Sequence, residues 1–177
     1  MSTIEGYAAV FDSLSSDLGG FREKIAPGAF SRSIREYDIL ALHHHRHDKI
    51  LGRTSNKTLA LFEDRKGLFF SLQVPDTGLG NDIATLVKIG SINSMSFGFY
   101  MTDADGEYWE HDPHLGIVRT LLDVDLSEIS TVGRPAYPAS NVSIARSAVQ
   151  SHNVSKFNVE NARRHIRMRT KLLSAMR

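Results

Sequence analysis

Three histidines stand in a row at His43, His44 and His45, with His47 close behind. Imidazoles titrate near neutral pH and serve as general bases or metal ligands, so chemistry is first expected here. On a continuous strand His43, His45 and His47 would point to one side and His44 to the other. Residues two apart on a strand lie about 7 Å apart, so two of these imidazoles could share a cation but three could not without a bend. No His-Glu-x-x-His pattern accompanies them, and nearby carboxylates are not spaced to complete a coordination shell. A general base, a metal ligand and plain surface histidines at a strand end all stay open for this segment.

The second candidate is Gly90-Ser-Ile-Asn-Ser-Met-Ser-Phe-Gly-Phe99. Strand alternation places Ser94, Ser96 and Gly98 on one face and Met95, Phe97 and Phe99 on the other. The aromatic face belongs in a core. The small polar face leaves a hydroxyl room to meet a substrate carbonyl, and Gly98 lets a peptide backbone approach closely. An ordinary half-buried strand would look the same. The third candidate is Asp123-Val-Asp-Leu-Ser-Glu-Ile-Ser130. Alternation sends Asp123, Asp125, Ser127 and Ile129 one way and Val124, Leu126, Glu128 and Ser130 the other. A carboxylate among apolar neighbours is costly to bury unless paired, so Glu128 is a candidate histidine-orienting acid, or else a solvated strand-end glutamate. Serine is a weak nucleophile until an imidazole takes its proton and a third group fixes the imidazole. The three segments could therefore supply a triad.

The elements that must position these residues read mostly as strands and turns. Gly6–Phe11 and Ile39–Leu42 are short apolar strands, with a Ser/Asp/Gly-rich loop at Ser13–Gly20. Pro27-Gly28 precedes a short helix over Ala29–Arg35. Thr58–Phe62 and Gly67–Val74 pair about a turn at Glu63–Lys66. A helix over Asp82–Lys88 carries Ile83, Leu86 and Val87 on one face and stops at Gly90. Ile92–Met101 and Val118–Ile129 are strand regions, Asp103–His114 is a polar loop or hairpin tip, and Pro135 and Pro138 end the ordered core. Beyond Ala148 the chain turns polar, and Asn161–Arg177 is a basic, helix-prone tail. We expect a domain over 1–148 and a linker with tail over 149–177.

Composition narrows the classes. Hydrophobic residues make up 41% and charged residues 23% of the 177, close to the globular average. A formal net charge of +1 gives no global field toward nucleic acid or membrane, so neither partner is expected. The absence of cysteine excludes disulfides, thiol nucleophiles and cysteine-ligated metals. The start of the chain lacks a signal-peptide pattern, and no stretch approaches the roughly 18 apolar residues of a membrane span. A cytoplasmic setting, or a compartment assembled there, is the expectation.

Taken in order, these segments resemble the caudoviral prohead (head maturation) protease family, serine peptidases related in fold to herpesvirus assemblin. Gly6-Tyr-Ala-Ala-Val-Phe11 is similar to the family's opening strand. Glu23-Lys-Ile-Ala-Pro-Gly-Ala-Phe30 is similar to its Ile-x-Pro-Gly-Ala-Phe string. His45 followed by Leu51-Gly-Arg-Thr54 resembles the spacing after the catalytic histidine. Gly90 through Ser94-Met-Ser-Phe-Gly-Phe99 resembles the nucleophile strand, and Leu126–Val132 with Pro135-Ala-Tyr-Pro138 the closing motif. Five such motifs in the right order span Gly6 to Val142.

The resemblance implies Ser96 as nucleophile and His45 as base, chosen over His43 and His44 by the motif spacing. It implies Glu128 as third member, where assemblin-type enzymes place a second histidine and phage relatives an acid. His111 and His114 are rivals for that place, in a polar loop that speaks against them. For the oxyanion, backbone N–H groups near Gly133 and Arg134, or Arg134 itself, fit the chemistry. The implied fold is α+β, a partly closed antiparallel β-barrel surrounded by a few helices, with the basic helix at the C-terminal end. The implied activity is endopeptidase cleavage of the major capsid protein's scaffolding segment, and of the protease itself, inside a phage or prophage prohead in the host cytoplasm. No cofactor or metal is implied, and self-cleavage suits a homodimer or higher oligomer. The tail would dock on capsid or scaffold, or be removed by self-cleavage. The competing expectation is a non-catalytic capsid-assembly or scaffold module that kept the fold.

Overall fold

The computed structural model describes residues 2–101 and 104–145. The chain divides into two units, Met1–Ala145 and Arg146–Arg177. The linker and basic tail expected over 149–177 lie outside the described residues.

Three sheets organise the described residues. The first has the order β11 (Asn141–Ile144), β1 (Thr3–Val10), β6 (Gly67–Gln73) and β5 (Leu59–Glu63), all antiparallel. The second runs β4 (Arg46–Arg53), β3 (Leu40–His43), β10 (Val124–Val132) and β7 (Ser94–Met101). The third is β2 (Phe21–Ile25), β9 (Gly116–Leu121) and β8 (Glu107–Asp112). Two helices, α1 (Ser31–Glu36) and α2 (Gly78–Lys88), and a 3-10 turn at Ala104–Gly106 complete the described elements.

Local sequence explains most of these elements. In the β5–β6 hairpin, Leu59, Leu61 and Glu63 alternate inward opposite Leu72, Phe70 and Leu68. Glu63 is buried at the end of that row because its carboxylate accepts the Phe30 N–H at 3.0 Å and the Ser31 hydroxyl, which caps the start of α1. Thr77 caps α2 through Oγ1 to the Gly80 N–H at 3.1 Å, so that helix starts ahead of the expected Asp82. Gly90, at φ 77°, follows its end. Gly6 permits the close passage of β11: a Cβ there would lie 2.2 Å from the Asn141 carbonyl oxygen.

Four differences from expectation stand out. The strands are not purely antiparallel, since β3 runs parallel to β10 and β2 parallel to β9. No sheet closes into a barrel among the described residues, and the α+β expectation gives way to a mostly β fold with short helices. The Val118–Ile129 region is two strands, because the Gly106 carbonyl takes the N–H groups of both Leu122 and Asp123 and turns the chain there. Finally, the polar segment Asp103–His114 contains strand β8, the strands β2 and β4 add to those expected, and β11 follows the prolines expected to end the core.

Candidate active site

Strand β10 is the spine of the site, with β3 on one edge and β7 on the other. Its register with β7 slips between Leu126 and Glu128, a bulge that leaves Ser127 without a Cα partner. Beyond the slip, Glu128 faces Gly98, Ile129 faces Phe97, Ser130 faces Ser96 and Thr131 faces Met95. Ile129, Phe97 and Met95 are buried in the core, with Phe30 edge-on to Phe97 at 5.4 Å. Glu128 and Ser130 therefore share the opposite face with Ser96 and Gly98. Strict alternation from Val124 would have set Glu128 on the same side as Leu126. The bulge reverses the phase, so Leu126 and Ile129 both reach the core while Glu128 turns to the serine face.

Helix α1 fixes that bulge. The Ser33 hydroxyl, fully buried, donates to the Val124 carbonyl and accepts the Leu126 N–H at 3.0 Å. Arg32 beside it pairs with Asp125 at 2.7 Å and Asp123 at 3.2 Å.

The histidine run is not one continuous strand: His43 ends β3 and His47 lies on β4. His44 and His45 adopt φ of 53° and 58°, and His43 pairs with Arg46, so they form the two-residue turn of the β3–β4 hairpin. Left-handed backbone at both central positions matches the strand twist, and histidine tolerates it better than most side chains. The expected sharing of one face by His43, His45 and His47 is thereby overturned. The turn hangs on β10 through the His44 N–H to the Thr131 carbonyl at 3.0 Å and the His45 N–H to Ser130 Oγ at 3.1 Å.

Each imidazole meets a different environment. His43 Nδ1 lies 2.9 Å from Thr131 Oγ1, and burial followed by the charge of His44 holds its pKa below the usual histidine value. The His44 ring stands edge-on to His43 at 4.3 Å. His45 reaches Glu128, with Nδ1 2.6 Å from Oε1. That pair is lopsided: the Glu128 side chain is 5% exposed and that of His45 45%. An ionised carboxylate only accepts, so Nδ1 carries the proton and the Nε2 lone pair is left free. The second Glu128 oxygen, Oε2, accepts from Ser130 Oγ at 2.6 Å. Gly98 leaves room for the carboxylate, since a Cβ there would lie 2.4 Å from Oε1.

Ser96 is half-buried beside Ser130, and its hydroxyl has no hydrogen-bond partner among the described residues. An unengaged hydroxyl one strand from a carboxylate-held imidazole is an arrangement capable of acyl transfer once a substrate draws the groups together. Gly133 and Arg134 follow β10 directly and are exposed, and a Cβ on Gly133 would lie 4.0 Å from the His44 ring. They sit at the end of β10 that carries the histidine turn. His111 and His114 are far in topology, on or just after β8 in the third sheet, and neither bonds to Glu128. Among the described residues no three metal-ligating side chains converge, the histidine run included. Ser130, Ser33 and Thr131 are the contributors that sequence reasoning passed over. Only the spacing of Ser130 two residues after Glu128 pointed to the first of them.

A model of the caudovirus prohead serine protease family matches residues 1–155, which takes in every described strand. The chain belongs to that family. This prohead serine protease family member carries a turn histidine bonded to a carboxylate on β10 and a serine on the adjoining strand β7. The fold is similar to that of the KSHV protease, seen in a crystal structure in complex with a hexapeptide phosphonate inhibitor. The TM-score is 0.52 at 12% identity, over 94% of this chain and 76% of that one. At such identity the likeness is one of fold. No curated protein matches the sequence.

Proposed function

We propose that this chain is the serine endopeptidase that cleaves the scaffolding segment of the major capsid protein, and itself, within the assembling prohead of its host. Ser96 is the nucleophile, His45 the general base and Glu128 the residue that orients the imidazole. The observation that carries this reading is the 2.6 Å contact of His45 Nδ1 with buried Glu128, on the strand whose Ser130 is the cross-strand partner of Ser96.

In the reaction, Ser96 Oγ attacks the scissile carbonyl carbon while its proton passes to His45 Nε2. The imidazolium is stabilised by Glu128, and the oxyanion by N–H groups at Gly133–Arg134 or by the Arg134 side chain. Collapse breaks the C–N bond as His45 returns the proton to the leaving amine. Water then adds its oxygen to the acyl carbon as it gives a proton to the same imidazole, and the ester C–O bond breaks as His45 returns that proton to Ser96 Oγ. The domain doing this is taken as 1–148, with residues 149–177 as a docking or self-cleaved tail, and a homodimer or larger oligomer suits cleavage in trans.

Co-expression with the cognate capsid protein tests the proposal. Wild type trims the capsid protein, while Ser96→Ala and His45→Asn leave it full length. Asparagine is chosen because it tolerates the left-handed turn position and so keeps the hairpin. Equal trimming by Ser96→Ala removes Ser96 from the mechanism. No trimming by wild type turns the reading toward a non-catalytic assembly module.

A further inference from the structure

We infer that Ser130 is a positioning residue of this site, holding both members of the histidine–carboxylate pair through one hydroxyl; the inference rests on the triad reading above. Ser130 is fully buried and two of its contacts go to different partners. Its Oγ–H donates to Glu128 Oε2 at 2.6 Å, and the same oxygen accepts the His45 N–H at 3.1 Å. One hydroxyl thus spans the backbone of the residue whose ring must point at Ser96 and the carboxylate that fixes that ring. It does so from the position directly across from Ser96. Glu128 Oε1 is committed to His45 and Oε2 to Ser130, so the carboxylate plane has two anchors instead of one.

The donor to Oε2 also tempers the base. A carboxylate sharing its charge with a hydroxyl proton is a weaker acceptor for the imidazole N–H than one with that proton removed. Loss of the Ser130 hydroxyl therefore leaves the carboxylate a stronger acceptor and moves the acid limb of a reaction that uses His45 as base. The titratable and charged groups about the turn include Glu128 on β10, Arg134 just after it, His43 and His44 in the hairpin, and Arg46, His47, Asp48 and Lys49 on β4. All are retained in a Ser130 substitution, so a shift in the profile reports the hydroxyl.

The test is the rate at which a fluorophosphonate probe labels Ser96, followed from about pH 5 to 9. In that reaction the Ser96 Oγ–P bond forms, fluoride leaves and the serine proton goes to His45. Ser130→Ala is expected to lose up to about 100-fold in rate, the scale of a misplaced reacting group. Its acid limb moves to higher pH. Ser130→Thr keeps the hydroxyl and keeps the wild-type limb. Ser130→Cys, close in size with only a weak S–H donor, shifts the limb as alanine does and serves if the alanine variant does not fold. An alanine or cysteine variant that folds and keeps the wild-type limb overturns the inference, because a merely structural serine would lower the amount of active protein without moving the limb. Undiminished labelling of Ser96→Ala or Glu128→Gln would instead sink the triad itself.

Discussion

A buried carboxylate has to be hydrogen-bonded or it unfolds its surroundings, and Glu128, 4% exposed, meets that demand through His45 and Ser130. The space it occupies exists because residue 98 has no side chain. Gly98→Ala would place a methyl 2.4 Å from Oε1, well inside any tolerated contact. The backbone there is ordinary strand, so alanine costs little conformationally, and the strain falls on the carboxylate. We therefore expect Gly98→Ala to lower the rate of Ser96 labelling or capsid trimming by roughly 100-fold, as a displaced orienting group does. Its thermal midpoint should fall only by the few degrees that about 1 kcal/mol produces in a domain of this size. Rate and midpoint measured on the same preparation check this. Near-wild-type activity would mean that the carboxylate can settle elsewhere and still hold the ring.

The bulge in β10 is the element on which the site depends, and α1 holds it from the far side. Ser33 supplies a donor to Val124 and an acceptor to Leu126 just before the slip. Ser33→Ala strands two buried backbone groups and should cost about 1–3 kcal/mol of unfolding free energy in a denaturant titration with an unchanged slope. Stability equal to wild type would show that the bulge holds itself. The same element explains what was legible in the sequence. Alternation in β7 was readable because Met95 and Phe97 are apolar and Ser94, Ser96 and Gly98 are small, and the register keeps them in phase. The phase of Glu128 was not readable, since a bulge leaves no mark on a run such as Leu126-Ser-Glu-Ile129 and its cause, Ser33, lies far away in sequence. The histidine run misled for a related reason. A type I′ turn is usually advertised by asparagine and glycine, and here two histidines fill it. Strands β8 and β4 were hidden by their charge: Glu107–Asp112 and Arg46–Arg53 are edge strands with much of their surface in water, so neither needs an apolar period. The assignment of His45 over its neighbours came from motif spacing, and within the fold His45 is the one of the three that touches Glu128.

At the scale of the whole molecule, buried ionisable groups set the pH range over which the sheets stay together. Glu23, 2% exposed, takes the Tyr137 hydroxyl and pairs with Arg119, whose guanidinium lies over Phe21 and Trp109. This cluster ties the third sheet to the segment after β10, and the Tyr137 ring packs on Phe97 at 5.3 Å, next to the candidate nucleophile. Burial, then the charge of Glu23, pushes the Tyr137 pKa up, and burial with the Asp64 hydrogen bond does the same for Tyr7. Above about pH 10 the unfolded chain gives up these phenolic protons while the folded chain keeps them, so stability falls as pH rises past that point. His43 acts at the other end. Its pKa is lowered in the fold by burial, so below about pH 6.5 the unfolded chain binds the proton first and stability falls as pH drops toward the folded value. Thermal midpoints should therefore run flat from roughly pH 7 to 9.5 and decline on both sides. His43→Gln should flatten the decline between pH 6.5 and 5 by removing its proton uptake. Tyr137→Phe should soften the alkaline limb, yet start from a lower plateau, because Glu23 loses a donor while still buried, a loss of about 1–3 kcal/mol. A Tyr137→Phe protein with a wild-type plateau would show that Arg119 alone satisfies Glu23, and an alkaline limb unchanged in both Tyr137→Phe and Tyr7→Phe would place the proton release elsewhere.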